Sequence, residues 1–72
     1  MSNAWETTLE DVKIVLDQSG SNRDPKEVFD ILDNEDLYRI EESALEGDDM
    51  DEQTFYAYEM IRLILEEKGF IQ

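Results

Sequence analysis

Residues 51–68, DEQTFYAYEMIRLILEEK, form the longest apolar-periodic run in the chain and predict its central helix. Gly69 follows directly and is a typical helix stop. On a helical wheel at about 100° per residue, five apolar residues of this run share one face. These residues are Ala57, Tyr58, Ile61, Ile64 and Leu65.

Three further residues, Tyr56, Met60 and Leu63, widen the apolar arc of this helix to roughly half its circumference or more. We refer to these three as the apolar seam. A helix with so wide an arc is expected to be covered from more than one side, with the shorter helices packed around it. Two alternatives remain open for the seam: the first or second helix covers it, or it forms a homodimer or partner surface.

Local signals divide the remaining chain into three shorter helices. Thr7-x-x-Glu10 predicts a capping box, and Asp24-Pro25 predicts an N-cap followed by proline at the first helical position. Asn34 is predicted to cap the third helix. The predicted helices are Thr8–Ser19, Pro25–Asp33, Glu35–Glu46 and Asp51–Lys68. This pattern predicts an all-α fold, a compact small bundle of four helices with the C-terminal one longest and central.

The boundary between the second and third helices is open on sequence grounds. No glycine or proline lies between Lys26 and Glu46, so one kinked helix is the alternative to two separate ones. Glycine predicts the other helix ends, at Ser19-Gly20 and at Gly47. We expect a single domain over residues 1–72, with residues 1–6 as a flexible N-terminus.

The amino-acid composition excludes several chemistries. The chain has no cysteine and no histidine, which excludes disulfides, thiolate or imidazole metal sites and histidine acid/base catalysis. No apolar run approaches the roughly 20 residues of a membrane span, and the N-terminus has no signal-peptide pattern. The expected location is therefore the cytoplasm.

The charge balance is the most informative number in the composition. There are 20 acidic residues against 6 basic ones, for a net charge of −14. This charge argues against direct binding of nucleic acid or anionic membrane and favours a basic partner. The 40% of apolar residues, at helical spacing, argue for a folded chain rather than a disordered one. Adaptation to high salt is another origin of such acidity.

The acidic side chains are concentrated between the second helix and the start of the fourth. The acids of this block are Asp30, Asp33, Glu35, Asp36, Glu41, Glu42, Glu46, Asp48, Asp49, Asp51 and Glu52. Its single base, Arg39, interrupts the row and can pair with Glu35. The block is either a solvated surface or a binding surface for a basic protein groove, including as a mimic of nucleic acid.

The mimicry hypothesis depends on the spacing of the charges. Duplex DNA carries one charge per about 1.7 Å of axis, and helical acids four residues apart are separated by about 6 Å of rise. That rise is comparable to the spacing of successive phosphates along one strand. The residues predicted to contact such a partner, hereafter the acidic face, are Glu35, Glu42, Glu46, Asp48, Asp49 and Asp51.

The same acids could in principle bind calcium or act in catalysis, and both alternatives fit poorly. A calcium loop starting at Asp49 would place Thr54 where glycine is needed and Met60 where glutamate is needed. Catalysis by a carboxylate pair needs a substrate cleft, for which a small helical domain has little room. We therefore expect no metal site, no cofactor and no enzymatic activity.

The size, acidity and helical pattern of the whole chain, with the acidic segment EGDDMDEQT at 46–54, resemble small proteins encoded by phages and prophages. Some acidic members of that group block host defence by occupying nucleic-acid-binding grooves. The resemblance is one of character; it carries no motif and assigns no functional residue.

The sequence thus predicts a non-enzymatic module whose acidic face binds a basic protein. The alternative is a structural or assembly protein that forms homo-oligomers through the apolar seam.

Overall fold

The computed structural model describes residues 5–71, and these form four α-helices. They are α1 Leu9–Gln18, α2 Pro25–Ile31, α3 Asn34–Ala44 and α4 Met50–Glu67. The predicted all-α bundle with the longest helix last is confirmed. Of the segment predicted to be flexible, residues 1–4 lie outside the described residues, whereas Trp5 packs against the core.

The first helix begins one residue later than the predicted capping box implies. Thr8, not Thr7, is the N-cap, and its partner is Asp11 rather than Glu10. The Thr8 N–H donates to Asp11 Oδ2 at 2.9 Å, and the Asp11 N–H donates to Thr8 Oγ1 at 3.4 Å. Two consecutive threonines are each followed three positions later by an acid, so local spacing alone does not choose between the two frames.

Helices α2 and α3 are separate, which resolves the alternative of a single kinked helix. Leu32 and Asp33 both have extended backbone angles, with ψ of 125° and −179°. Asp33 is the N-cap of α3, and the predicted cap Asn34 is the first helical residue instead. The Asp36 N–H donates to Asp33 Oδ1 at 2.9 Å, and the Asp33 N–H donates to Asp36 Oδ2 at 3.3 Å, which forms a capping box.

Two of the three glycines follow helix ends as predicted, and the prediction that Gly47 ends the third helix is wrong. Gly20 and Gly69 have positive φ values of 73° and 82°, as predicted for left-handed helix stops. Gly47 is not left-handed, and α3 already ends at Ala44. A Cβ atom on Gly47 would lie 2.6 Å from the backbone nitrogen of Gln53. Gly47 is therefore needed because α4 passes too close to the chain for any side chain.

The core is built mainly on α4, which packs against α3 and α1. Helix α2 packs against α1 and not against α4, so the expectation that every shorter helix contacts α4 is wrong. The buried apolar residues are Val12, Val15, Leu16, Val28, Leu32, Ile40, Ala44, Ala57, Ile61, Ile64, Leu65 and Ile71. Within the described part of the chain, no helix is long and apolar enough to cross a membrane.

Two apolar residues at helix ends are exposed although their spacing places them on the apolar faces of α1 and α2. Leu9 is 42% exposed and Ile31 is 52% exposed. Leu9 is the first residue of α1, and Ile31 is the last residue of α2. The contact between α1 and α4 includes one polar link, in which the Tyr58 hydroxyl donates to Asp11 Oδ1 at 3.1 Å. Burial and this hydrogen bond raise the pKa of Tyr58 above its ordinary value.

Candidate protein-binding surface

Helices α3 and α4 form an antiparallel hairpin that carries both predicted binding surfaces. At its open end, Arg39 Nη1 lies 3.2 Å from Glu67 Oε1, and Lys68 Nζ lies 3.1 Å from Asp36 Oδ2. The hydrogen bond to Glu67 raises the pKa of Arg39 above its ordinary value. The predicted pairing of Arg39 with Glu35 is therefore wrong, because the guanidinium extends across to α4 instead of along its own helix.

The acidic face follows the outer side of α3 and continues into the loop that joins α3 to α4. Glu35 and Glu42 are seven residues apart and lie about 20° apart on the helical wheel, so both belong to one stripe. Both are exposed, as are Glu46, Asp48 and Asp51 farther along the chain. The acidic face thus consists of exposed acids on one stripe of α3, in the loop after it and in the first turn of α4.

Tyr38 holds one carboxylate of the acidic face in place. Its hydroxyl donates to Glu42 Oε2 at 2.7 Å, and this hydrogen bond raises the pKa of Tyr38 above its ordinary value. Tyr38 itself is 57% exposed, so the pair lies at the surface. Sequence reasoning missed this contact, although the i, i+4 spacing on a helix is the signal that would have found it.

Asp49 has a structural role in addition to its place in the acidic face. It is the N-cap of α4, and its Oδ1 accepts a hydrogen bond from the Glu52 N–H at 2.8 Å. Glu52 Oε1 in turn accepts from the Asp48 N–H at 2.7 Å. These carboxylates satisfy free backbone donors at the helix start. Among residues 5–71, no three acidic side chains are grouped so that they could hold a metal ion.

The basic residues form their salt bridges elsewhere. Within residues 5–71 the four pairs are Lys26–Asp30, Arg39–Glu67, Arg62–Glu59 and Lys68–Asp36. None of the six acids of the acidic face belongs to these pairs. Arg23 is placed over the ring of Phe70, 4.9 Å from its centroid, which uses a fifth base in a cation–π contact. The described chain therefore supplies no salt-bridge partner to the acidic face.

The apolar seam is left open to solvent by α1 and α2. Tyr56 is 39% exposed and Leu63 is 43% exposed, with Met60 half-buried between them. The three side chains line a shallow groove of about 290 Å³ on the hairpin, which we call the seam groove. The apolar arc of α4 is therefore wider than the part of it that the neighbouring helices cover.

Acidic side chains from the end of the α3 segment and from α4 border the seam groove. Glu46 contributes from the α3 side, and Glu59 and Glu66 contribute from α4. Arg62 also lines the groove, where its Nη2 donates to both carboxylate oxygens of Glu59 at 2.8 and 3.0 Å. Glu46 belongs both to the acidic face and to this border, so the two predicted surfaces are continuous.

Comparison of the chain with protein-family models, with curated proteins and with solved structures gives no significant match in any of the three.

Proposed function

We propose that this protein is a non-enzymatic binding module whose acidic face engages a basic protein surface, of the kind that otherwise binds nucleic acid. The observation that supports the proposal is the distribution of salt bridges. Within the described residues, four of the six bases form salt bridges with acids outside the acidic face and none pairs with an acid in it, which leaves the acidic face with uncompensated negative charge. A partner whose basic residues contact the acidic face therefore forms favourable ion pairs, and no salt bridge within this protein has to break first.

The exposure of the acidic face also supports binding rather than catalysis. Its carboxylates are exposed on a helix and in the adjoining loop, whereas catalysis by a carboxylate pair needs the two groups on opposite sides of a substrate cleft. The hydrogen bond from Tyr38 orients the Glu42 carboxylate, which reduces the side-chain freedom that this residue loses on binding. Association through such a surface is expected to be fast and salt-sensitive, because electrostatic complementarity acts mainly on the association rate.

A matched pair of charge-reversed variants tests the proposal. Glu35 and Glu42 occupy the second and ninth positions of α3, and Glu10 and Asp17 occupy the same positions of α1. All four are exposed. Reversing either pair to lysine adds two charge units per site and changes the net charge from −14 to −10. The two double variants therefore have the same net charge and matching helix positions, and the α3 variant also loses the Tyr38–Glu42 hydrogen bond.

The experiment is a pull-down from a bacterial lysate at low and high salt, followed by affinity measurement with the captured protein. We expect the captured protein to bind DNA or RNA and to be released at high salt. We also expect the present protein to compete with nucleic acid for binding to it. The α3 variant should bind it about tenfold more weakly or worse, a change of about 1.4 kcal/mol, and the α1 variant should bind almost as the wild type does. Equal binding by both variants, or binding indifferent to salt, would show that the acidic face is only a solvated surface.

A second candidate function, assembly of homo-oligomers through the apolar seam, is favoured by the exposure of Tyr56 and Leu63. The net charge of −14 on every copy opposes it. Sedimentation of the wild type separates this candidate from the first, because only self-association would appear without a partner.

A further inference from the structure

We infer that the seam groove binds a cationic amphipathic helix of the partner protein. The apolar side chains of that helix would cover Tyr56, Met60 and Leu63, and its lysines or arginines would pair with the acids at the border. This inference rests on the proposed function, since it assumes the same basic partner, and it adds the chemistry of the segment that docks and the place where it docks.

The length of the seam suits one face of a helix. Tyr56 and Leu63 are seven residues apart on α4, which corresponds to about 10 Å of rise or two turns. A docked helix presents its apolar anchors at i, i+3 or i+4 and i+7, and these span the same two turns. Half-exposed Tyr56 and Leu63 at the ends, with Met60 between them, therefore match the spacing of such anchors.

The charges around the seam select a cationic segment. Glu46 on the α3 side and Glu66 on the α4 side both line the groove, and neither has a salt-bridge partner within the described residues. Glu59 also lines the groove, with its charge compensated by Arg62. An apolar strip with unpaired carboxylates on both sides is complementary to a helix whose apolar face is flanked by basic residues.

The same charges disfavour a second copy of this chain as the occupant. A seam-to-seam dimer would bring the carboxylates of Glu46 and Glu66 of one copy close to those of the other, with a net charge of −14 on each. Like charges held together across an interface repel and weaken association. A basic helix covers the same apolar atoms and neutralises the border instead of doubling its charge.

A synthetic peptide serves as the probe. It is a fluorescently labelled helix of about 18 residues, or five turns, made of leucine and lysine with all leucines on one face. A scrambled peptide of identical composition has the same charge without the apolar face. Leu63→Gln removes one apolar anchor, and Leu9→Gln on α1 is the matched control, because the two leucines are 43% and 42% exposed.

Fluorescence anisotropy at about 0.15 M ionic strength measures the dissociation constants. We expect the amphipathic peptide to bind about tenfold or more tightly than the scrambled one, because only the former can bury apolar surface on the seam. We expect Leu63→Gln to weaken binding of the amphipathic peptide about fivefold, and Leu9→Gln to change it less than about twofold. Circular dichroism of both variants verifies that their helices are intact.

The outcomes separate this inference from the proposed function. If both peptides bind alike, if neither binds, or if Leu63→Gln behaves as Leu9→Gln does, the groove inference is overturned. Weaker binding of the captured partner by the α3 charge-reversed variant would still support the acidic face. If the wild type sediments as a dimer that Leu63→Gln dissociates, the occupant is a second copy and the inference is also overturned. A further result is that the amphipathic peptide binds in a Leu63-dependent manner while the α3 and α1 variants bind the captured partner equally well. That result supports helix binding in the seam groove and overturns the proposal that the acidic face binds the partner.

Discussion

Substitution of Gly47 by alanine tests the close approach between the backbone at Gly47 and the first turn of α4. The added Cβ atom would lie 2.6 Å from the nitrogen of Gln53 and 2.8 Å from the carbonyl carbon of Glu52. Both atoms belong to the first turn of α4, where the Gln53 N–H donates to the Asp49 carbonyl at 2.9 Å. Relief of the overlap must therefore displace backbone rather than the end of a flexible side chain.

The magnitude follows from two opposing effects. Forcing extra volume into a closely packed site costs about 1–3 kcal/mol. Replacing glycine by alanine also removes conformational freedom from the unfolded chain, which returns about 0.4–1 kcal/mol. We therefore expect Gly47→Ala to lower the free energy of unfolding by about 1–2 kcal/mol. With a slope of about 1–3 kcal/mol per molar urea, this lowers the urea midpoint by roughly 1 M.

Gly20 is the control because its constraint is of a different kind. It has a φ of 73° and no atom within 4 Å of an added Cβ, so alanine there meets only backbone strain. Asparagine tolerates the left-handed region, so Gly20→Asn should recover most of the stability lost by Gly20→Ala. Gly47→Asn should instead be less stable than Gly47→Ala, because its side chain is larger. Urea melts followed by circular dichroism measure all four, and recovery by asparagine at both positions would refute the close-approach explanation.

The remaining predictions concern the core and the cap of α3. Ile61 is 0% exposed, so Ile61→Ala should lower the free energy of unfolding by about 2–5 kcal/mol. Ile14 is half-buried, so Ile14→Ala should lower it clearly less. Equal losses of stability in urea melts would show that the assigned core face is wrong. The hydrogen bond from the Asp36 N–H holds the pKa of Asp33 below its ordinary value in the folded protein. The charged carboxylate of Asp33 therefore stabilises the fold at pH values above its pKa in the unfolded chain. This stabilisation is lost as the pH falls through its lower pKa in the folded protein. The asparagine in the Asp33→Asn variant still caps the helix but carries no charge, so the variant is the control. In urea melts, the difference in unfolding free energy between the wild type and this variant should increase from about pH 3 to pH 6 in favour of the wild type. A constant or decreasing difference would contradict the lowered pKa of Asp33.

The candidate binding surfaces could be predicted in part. All six acids of the acidic face are exposed, and helical spacing places Glu35 and Glu42 on one stripe of α3, since charge and period are local properties of the chain. The salt-bridge partners of the basic residues could not be predicted. Arg39 pairs with Glu67, and Lys68 pairs with Asp36, and both contacts join residues far apart in sequence. Which acids are left without partners therefore depends on the packing of α3 against α4.

The sequence alone determined the helical type of the fold and the approximate bounds of α1 and α4, whereas the separation of α2 from α3 was decided by the structure. Proline at the start of α2, left-handed glycines after α1 and α4 and an apolar period of 3.6 act within a few residues, so they can be recognised without knowledge of the fold. The exposure of the apolar seam was decided only by the tertiary structure. The apolar arc of α4 is wider than the surface that α1 and α3 cover, and α2 packs against α1 instead. The spacing of a helix shows which side chains share a face, but the neighbouring helices determine how much of that face is buried.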